Sequence, residues 1–290
     1  MLDGEEKQTA TGKGEWLLLD GKGEMELVEA GRDAIMRRTG LPARDLRRFL
    51  SYHSILLGRE RVIVINLEHV KAIITVQEVL FHNSGYPSVT PFVHELQAWI
   101  LRHHQDSSSS NPDAIKILPF EFVALHGCLE AVCSVLENEA KTLEQETHSA
   151  LDKLTSNTLN LERIRQIMIR LVHITERVQK VRNKLEHLLE DDKDMAEMYL
   201  TEKLVNGGNT YSAVTKQLDV EDLKMFFKDY FVQMDDTLKK LSMLRNYVVL
   251  NEAHIRNELT YLQNIFFRVQ VLWWAASMVL GGLLIWHPWH

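Results

Sequence analysis

The chain has 290 residues, 45% of them apolar, and a formal net charge of −7, a composition that folds and excludes wholesale disorder. A mildly acidic chain is a poor polyanion binder, so no nucleic-acid partner is expected. Its two cysteines, Cys128 and Cys133, fall about 140° apart on a helix, which disfavours a disulfide or paired metal site and leaves reduced, buried thiols.

Residues 1–14 read as a flexible N-terminus without the apolar core of a signal peptide or the Arg-rich character of a transit peptide. An α/β domain follows over 15–118. In it EWLLLD and EMELVE are short strands around the Gly21 to Gly23 turn, RVIVIN at Arg61 to Asn66 is the clearest strand, and Lys71 to Val76 adds another. Arg37, Arg38, Arg44, Arg47 and Arg48 form a basic patch, read as a solvated face or salt-bridge partners rather than a phosphate site. PFVHELQAWILRHH is an amphipathic helix with Val93, Leu96, Trp99 and Ile100 or Leu101 on its apolar face, and QDSSSSNPD is a flexible surface loop.

The region 119–205 carries two long helical patterns, Phe120 to Ser156 and Leu161 to Asp191, joined by TSNTLN as an antiparallel hairpin. The second has a heptad-like seam of Ile164, Ile167, Leu171, Ile174, Val178, Val181 and Leu185. NGGN at Asn206 to Asn209 marks a mobile connection. A stalk helix over 220–268 then repeats Leu223, Phe227, Tyr230, Met234, Leu241, Leu244 and Val248 in steps of four and three, with Thr237 the one polar interruption.

Residues 269–286 are expected to be a transmembrane helix. No Asp, Glu, Lys or Arg occurs from 269 to 290, and eighteen positions span roughly 27 Å against a hydrocarbon core of roughly 30 Å. Trp273, Trp274, Trp286 and Trp289 suit the two interfaces, the alternative being a buried core helix. Lys239, Lys240, Arg256 and Arg268 precede the segment and no Lys or Arg follows it. The expectation is therefore an integral membrane protein, with membrane lipid as a partner and the N-terminal domain on the cytosolic or matrix side.

Walker loop, dinucleotide fingerprint, HExxH and nucleophile elbow are all missing from the sequence, so an enzyme is not expected. His103 and His104, and the HPWH sequence at His287 to His290, lack a second ligand pair and default to surface histidines. Glu190, Asp191, Asp192 and Asp194 form a dense carboxylate patch at a helix end. A hard cation such as Mg²⁺ would relieve that crowding, which makes these residues candidates for Mg²⁺ sensing; the alternative is a solvated acidic helix end.

Five strings, IMRRTGLPARDLR, ILLGRERVIVINLEHVKAIIT, LPFEFVALHGCLEAV, LLEDDKDMAEMYLT and YFVQMDDTLKKL, resemble the plant and mitochondrial-type branch of the CorA magnesium transporter superfamily. The resemblance runs from about Trp16 to Asn264. It implies a homopentameric Mg²⁺ channel whose stalk helix becomes the pore-lining first span, followed by a second span. The fold class expected is an α/β N-terminal domain followed by a long helical hairpin and a stalk helix entering the membrane, CorA-like and mainly α. Mg²⁺ is the implied transported or regulatory ion.

In that family the first span ends in a Gly, Met, Asn tripeptide; this sequence reaches HPWH at about that place, and it carries bulky Trp273 and Trp274 where the family has smaller residues. The polar groups left as pore candidates are Gln263, Asn264 and Ser277. Two expectations follow: a Mg²⁺ transporter, or a non-conducting accessory or truncated subunit that forms mixed oligomers with full-length relatives and senses Mg²⁺.

Overall fold

Alternating apolar residues put i and i+2 of a strand on one side, and this chain uses that periodicity to build a six-stranded sheet. The computed structural model describes residues 13–51, 53–82, 90–108, 119–152, 159–205 and 213–286. Its strands are β1 (Lys13–Asp20), β2 (Met25–Gly31), β3 (Ile55–Gly58), β4 (Ile63–Leu67), β5 (Val70–Ile74) and β6 (Glu78–His82). They lie in the order β2-β1-β6-β5-β4-β3, every neighbouring pair antiparallel. Register aligns Leu18, Leu80, Ile73, Val64 and Leu57 in one buried row, and Leu19, Val79, Ile74 and Ile63 in a row on the opposite face. Both faces therefore need covering. β4 is buried at all five positions, which is why its sequence is a continuous apolar run.

One face is covered by α1 (Arg32–Thr39) and α2 (Ala43–Leu50). Their Ile35, Leu46 and Phe49, with Leu41 between them, join Trp16, Leu18, Val64 and Leu80 in a single core. Gly40 ends α1 at φ 70°, a left-handed turn that suits glycine. The other face receives α3 (Thr90–Ser108), whose Phe92 meets Phe81 edge-on at 5.7 Å. The helix thus continues into the stretch expected as a loop at QDSSSSNPD, and residues 109–113 of that loop lie outside the described residues. α4 (Phe120–Asp152) follows, and at its start the buried Glu121 accepts hydrogen bonds from the Thr201 amide at 2.8 Å and hydroxyl at 2.7 Å, pinning α7 (Leu200–Val205).

The chain divides into two compact units, Met1–Thr142 with Val172–Lys240, and Leu143–Leu171 with Leu241–His290. Helices α4, α5 (Leu159–Glu190) and α8 (Ala213–Trp286) contribute to both. In the first unit Ile174, Val178, Val181 and Leu185 of α5 and Leu223, Phe227, Tyr230 and Met234 of α8 are buried. Thr237 satisfies its buried hydroxyl by donating to the Gln233 carbonyl at 2.9 Å. Arg177 donates to Glu68 in the β4–β5 turn at 2.6 Å and to Glu139 of α4 at 2.7 Å, tying the sheet to the helices. In the second unit Leu143 and Ala150, Ile164, Ile167 and Leu171, and Leu241, Leu244 and Val248 are buried. The NGGN connection lies outside the described residues, as do residues 1–12 of the N-terminus.

The expected entry of the stalk into a membrane is corrected. Among the described residues no helix is long and apolar enough to cross one. Val269 to Ser277 is an exposed stretch of α8. Upstream of it the helix exposes Gln263, Asn264 and Arg268. The backbone stays helical to Trp286; the side chains of 278–286, and the HPWH sequence, lie outside the described residues. The transmembrane helix, membrane lipid as a partner, and integral placement with a cytosolic or matrix domain are withdrawn with it, and the homopentamer and mixed oligomer inferred alongside gain no support from this single chain.

Two residues make the sheet testable. A Cβ at Gly58 would lie 2.4 Å from the Asp194 carbonyl oxygen and 2.9 Å from the Glu197 Cβ, so the last residue of β3 carries backbone directly on α6 (Asp192–Ala196). Gly58→Ala is expected to cost about 1–3 kcal/mol of stability, the usual penalty of overpacking, measured by denaturant titration. His82 packs edge-on to Trp16 at 4.8 Å, and its Nδ1 is buried without a hydrogen-bond partner. Burial, reinforced by Lys71, lowers its pKa from 6.5 to about 4. The unfolded chain then takes up a proton that the folded chain refuses, so stability present above pH 6.5 is lost as pH falls toward 4. His82→Gln should reduce the drop in melting temperature across that window.

Candidate functional site: the acidic turn between two helices

The carboxylates singled out from the sequence fall where α5 ends and α6 begins. Asp191 is the N-cap of α6, its side chain accepting from the amides of Lys193 at 3.0 Å and Asp194 at 3.1 Å. That satisfies two of the donors every helix start leaves free. Asp192 and Asp194, two residues apart on a helix, point about 200° away from each other. Asp192 is exposed and pairs with Lys224 of α8 at 2.9 Å; Asp194 is half-buried and lies 3.5 Å from Arg59. Glu190, at the end of α5, faces solvent.

The turn thus brings the four carboxylates into sequence proximity without converging them. Among the described residues no group of three or more His, Cys, Asp or Glu side chains is arranged to hold a metal ion. What holds the turn instead is a set of cations. Arg59 Nε donates to the buried Asp45 of α2 at 2.7 Å, while its Nη1 donates to the Gly58 carbonyl at 3.0 Å and lies 3.5 Å from Asp194. Lys203 donates to the Glu197 carbonyl at 2.7 Å and bonds the Glu197 carboxylate. Sequence reasoning missed Arg59, Lys203 and Lys224 as parts of this site. The available signal was the Gly58-Arg59 pair at the end of a buried strand, where a charged residue must find a partner.

The electrostatic balance is uneven. Asp194 is pushed above the usual aspartate range, first by burial and then by the Asp191 charge, against which Arg59 acts in the opposite sense. The Arg59 guanidinium is in turn pushed up by its hydrogen bond to Asp45, and the half-buried Lys224 ammonium by its bond to Asp192. Asp45 is thus the stronger partner of Arg59, leaving Asp194 under-compensated.

The remaining candidates are dispersed. Gln263, Asn264 and Ser277 all lie exposed on α8, with Ser277 about 21 Å along the axis from Gln263. The Ser277 hydroxyl donates to the Trp274 carbonyl at 2.8 Å, within its own helix. Cys128 and Cys133 are buried free thiols whose pKa values burial drives upward. His103 and His104 have helical backbones in α3, their side chains outside the described residues.

A raised carboxylate pKa means the folded state holds that proton more tightly than the unfolded state, so stability from Asp194 declines as pH rises through the window above 3.8. Asp194→Asn should therefore raise the melting temperature at pH 7, and the gain should shrink as pH falls below 4; a loss at pH 7 would mean the Arg59 contact dominates.

Comparisons with known proteins agree with one another. A family model described as magnesium transporter MRS2-like matches residues 17–259. The chain is 36% identical to magnesium transporter MRS2-7 of Arabidopsis thaliana, over 92% of this chain and 78% of that protein. It is 35% identical to magnesium transporter MRS2-2 of the same plant, over 97% and 85%, and 36% identical to magnesium transporter MRS2-E of Oryza sativa subsp. indica, over 96% and 82%.

Proposed function

The chain belongs to the MRS2-like family of magnesium transporters, and from that premise we propose that it serves Mg²⁺ transport as a Mg²⁺-sensing, non-conducting subunit that assembles with conducting relatives. The family is one of ion transporters, not enzymes.

The observation that carries this reading is the acidic turn, whose carboxylates are held by exchangeable cations. Mg²⁺ selects oxygen ligands, keeps several of its waters and needs only one or two direct carboxylate contacts. Asp192 with Lys224, and Asp194 with Arg59, are partly exposed pairs of a kind worth about 0–1 kcal/mol each. A hydrated divalent ion at millimolar concentration competes well against such partners. The under-compensated charge at Asp194 favours the same exchange. Against conduction by this chain itself stands the polar set on α8, in which Ser277 is engaged with its own helix and Gln263 and Asn264 lie far from it. A selective entrance for a strongly hydrated ion needs a ring of fixed polar groups.

Two measurements test the proposal. Mg²⁺ should raise the melting temperature of the intact chain, by about 1.4 kcal/mol of stability at ten times the dissociation constant. The combined Asp191→Asn, Asp192→Asn and Asp194→Asn variant should lose that rise while keeping the helix cap, because asparagine caps as well as aspartate. An unchanged rise would place the ion elsewhere. Expressed alone in a Mg²⁺-requiring, transport-deficient strain, the chain should not restore growth, and beside a conducting relative it should lower uptake. Mg²⁺ influx carried by the purified chain alone would replace this reading with that of a transporter.

A further inference from the structure

Between Arg32 and Arg61 the sequence carries eight arginines and no lysine, against three acidic residues, Asp33, Asp45 and Glu60. Two of the eight are engaged: Arg38 pairs with Glu78 at 2.6 Å, and Arg59 with Asp45. Among the described residues no ion pair takes up Arg32, Arg37, Arg44, Arg47, Arg48 or Arg61, all of them exposed.

Their placement is not scattered. The helices α1 and α2 turn Ile35, Leu46 and Phe49 into the core, and Arg32, Arg37, Arg44, Arg47 and Arg48 stand exposed. Arg44, Arg47 and Arg48 stand at i, i+3 and i+4, neighbours on one helix face. Arg37 occupies the last turn of α1, immediately before Gly40. Arg61, from the β3–β4 connection, brings its Cδ to 3.2 Å from where a Gly40 Cβ would stand. The α1–α2 turn is therefore flanked by exposed arginines from three separate segments.

We propose that this arginine face is a docking surface for a short acidic segment of a partner protein. Three features select that chemistry. Guanidinium is the planar fork that grips a carboxylate with two parallel hydrogen bonds, and its weak hydration favours interfaces over lysine. Among the described residues from 28 to 100, no large hydrophobic side chain is exposed. The face thus offers neither an aromatic platform for nucleic-acid bases nor an apolar wedge for a bilayer. The chain as a whole is at −7, and charges farther apart than about 8 Å are largely screened at physiological salt. A short acidic segment stays on the patch, whereas a long polyanion runs off onto like charge.

The test uses the intact chain and a fluorescent ten-residue peptide of Asp and Glu, with a Gln and Asn peptide of equal length as control. Anisotropy should show saturable binding of the acidic peptide alone, weakening as salt rises. The Arg44→Gln, Arg47→Gln, Arg48→Gln variant, altered only at exposed positions, should bind at least tenfold more weakly with unchanged melting. The matching Lys variant, which keeps the charge and loses the fork, should fall between the two. Removing the exposed Arg163, Arg165 and Arg245 instead should change nothing. Equal losses from both sets of arginines would reduce the effect to net charge and overturn the proposal. Tighter binding of a thirty-nucleotide single strand or of inorganic polyphosphate than of the peptide would also overturn it.

Discussion

At the end of β3 a strand and a short helix meet backbone to backbone, with no side chain between them, and the geometry of the acidic turn follows from that contact. Gly58 leaves room for the Asp194 carbonyl, which seats α6 against the sheet edge. An edge strand otherwise presents unpaired amides and carbonyls, and here α6 packs against the last residue of that strand. The next residue is Arg59, so the contact that seats the helix also aims the guanidinium between Asp45 and Asp194. Position and charge are delivered by two adjacent residues.

Two classes of interaction divide the work by magnitude. The buried rows of the sheet and the seams of α5 and α8 consist of fully enclosed aliphatic and aromatic residues, each worth about 1.5–3 kcal/mol relative to exposure. The exposed ion pairs around the acidic turn contribute a fraction of that apiece. Removing a bridge such as Asp192 to Lys224 therefore changes local charge without threatening the fold, the condition a responsive site has to meet. Arg177 is an intermediate case. It satisfies two carboxylates at once, and one of them, Glu68, is the only non-glycine residue at positive φ among those described; the ion pair helps hold that turn.

Much of this architecture was legible because the periodicity was long. Every seam position read from the α5 and α8 patterns is buried, including Thr237, whose hydroxyl finds a backbone carbonyl. RVIVIN showed itself as a strand through its β-branched run. The short elements did not show: β3 is four residues buried throughout, which carries no alternation, and α1 and α2 hide their apolar faces among arginines. The acidic run was visible as composition, but its geometry was not. A cap, a helix turn and two distant cations send the carboxylates to different partners, and Arg59 and Lys224 come from segments remote in sequence. The expected membrane entry rested on the apolar letters alone, and among the described residues no helix is long and apolar enough to cross a membrane.

The two thiols of α4 acquire a use from their burial. Cys128 and Cys133 lie on a helix whose neighbours Leu125, Leu129, Val132 and Leu136 are wholly enclosed. A thiol reagent can reach them only when that layer opens, because the thiolate is the reactive form and burial suppresses it. Their rate of modification is thus a native clock for breathing of the helical layer. It requires no added label, and it reads the helical layer from within.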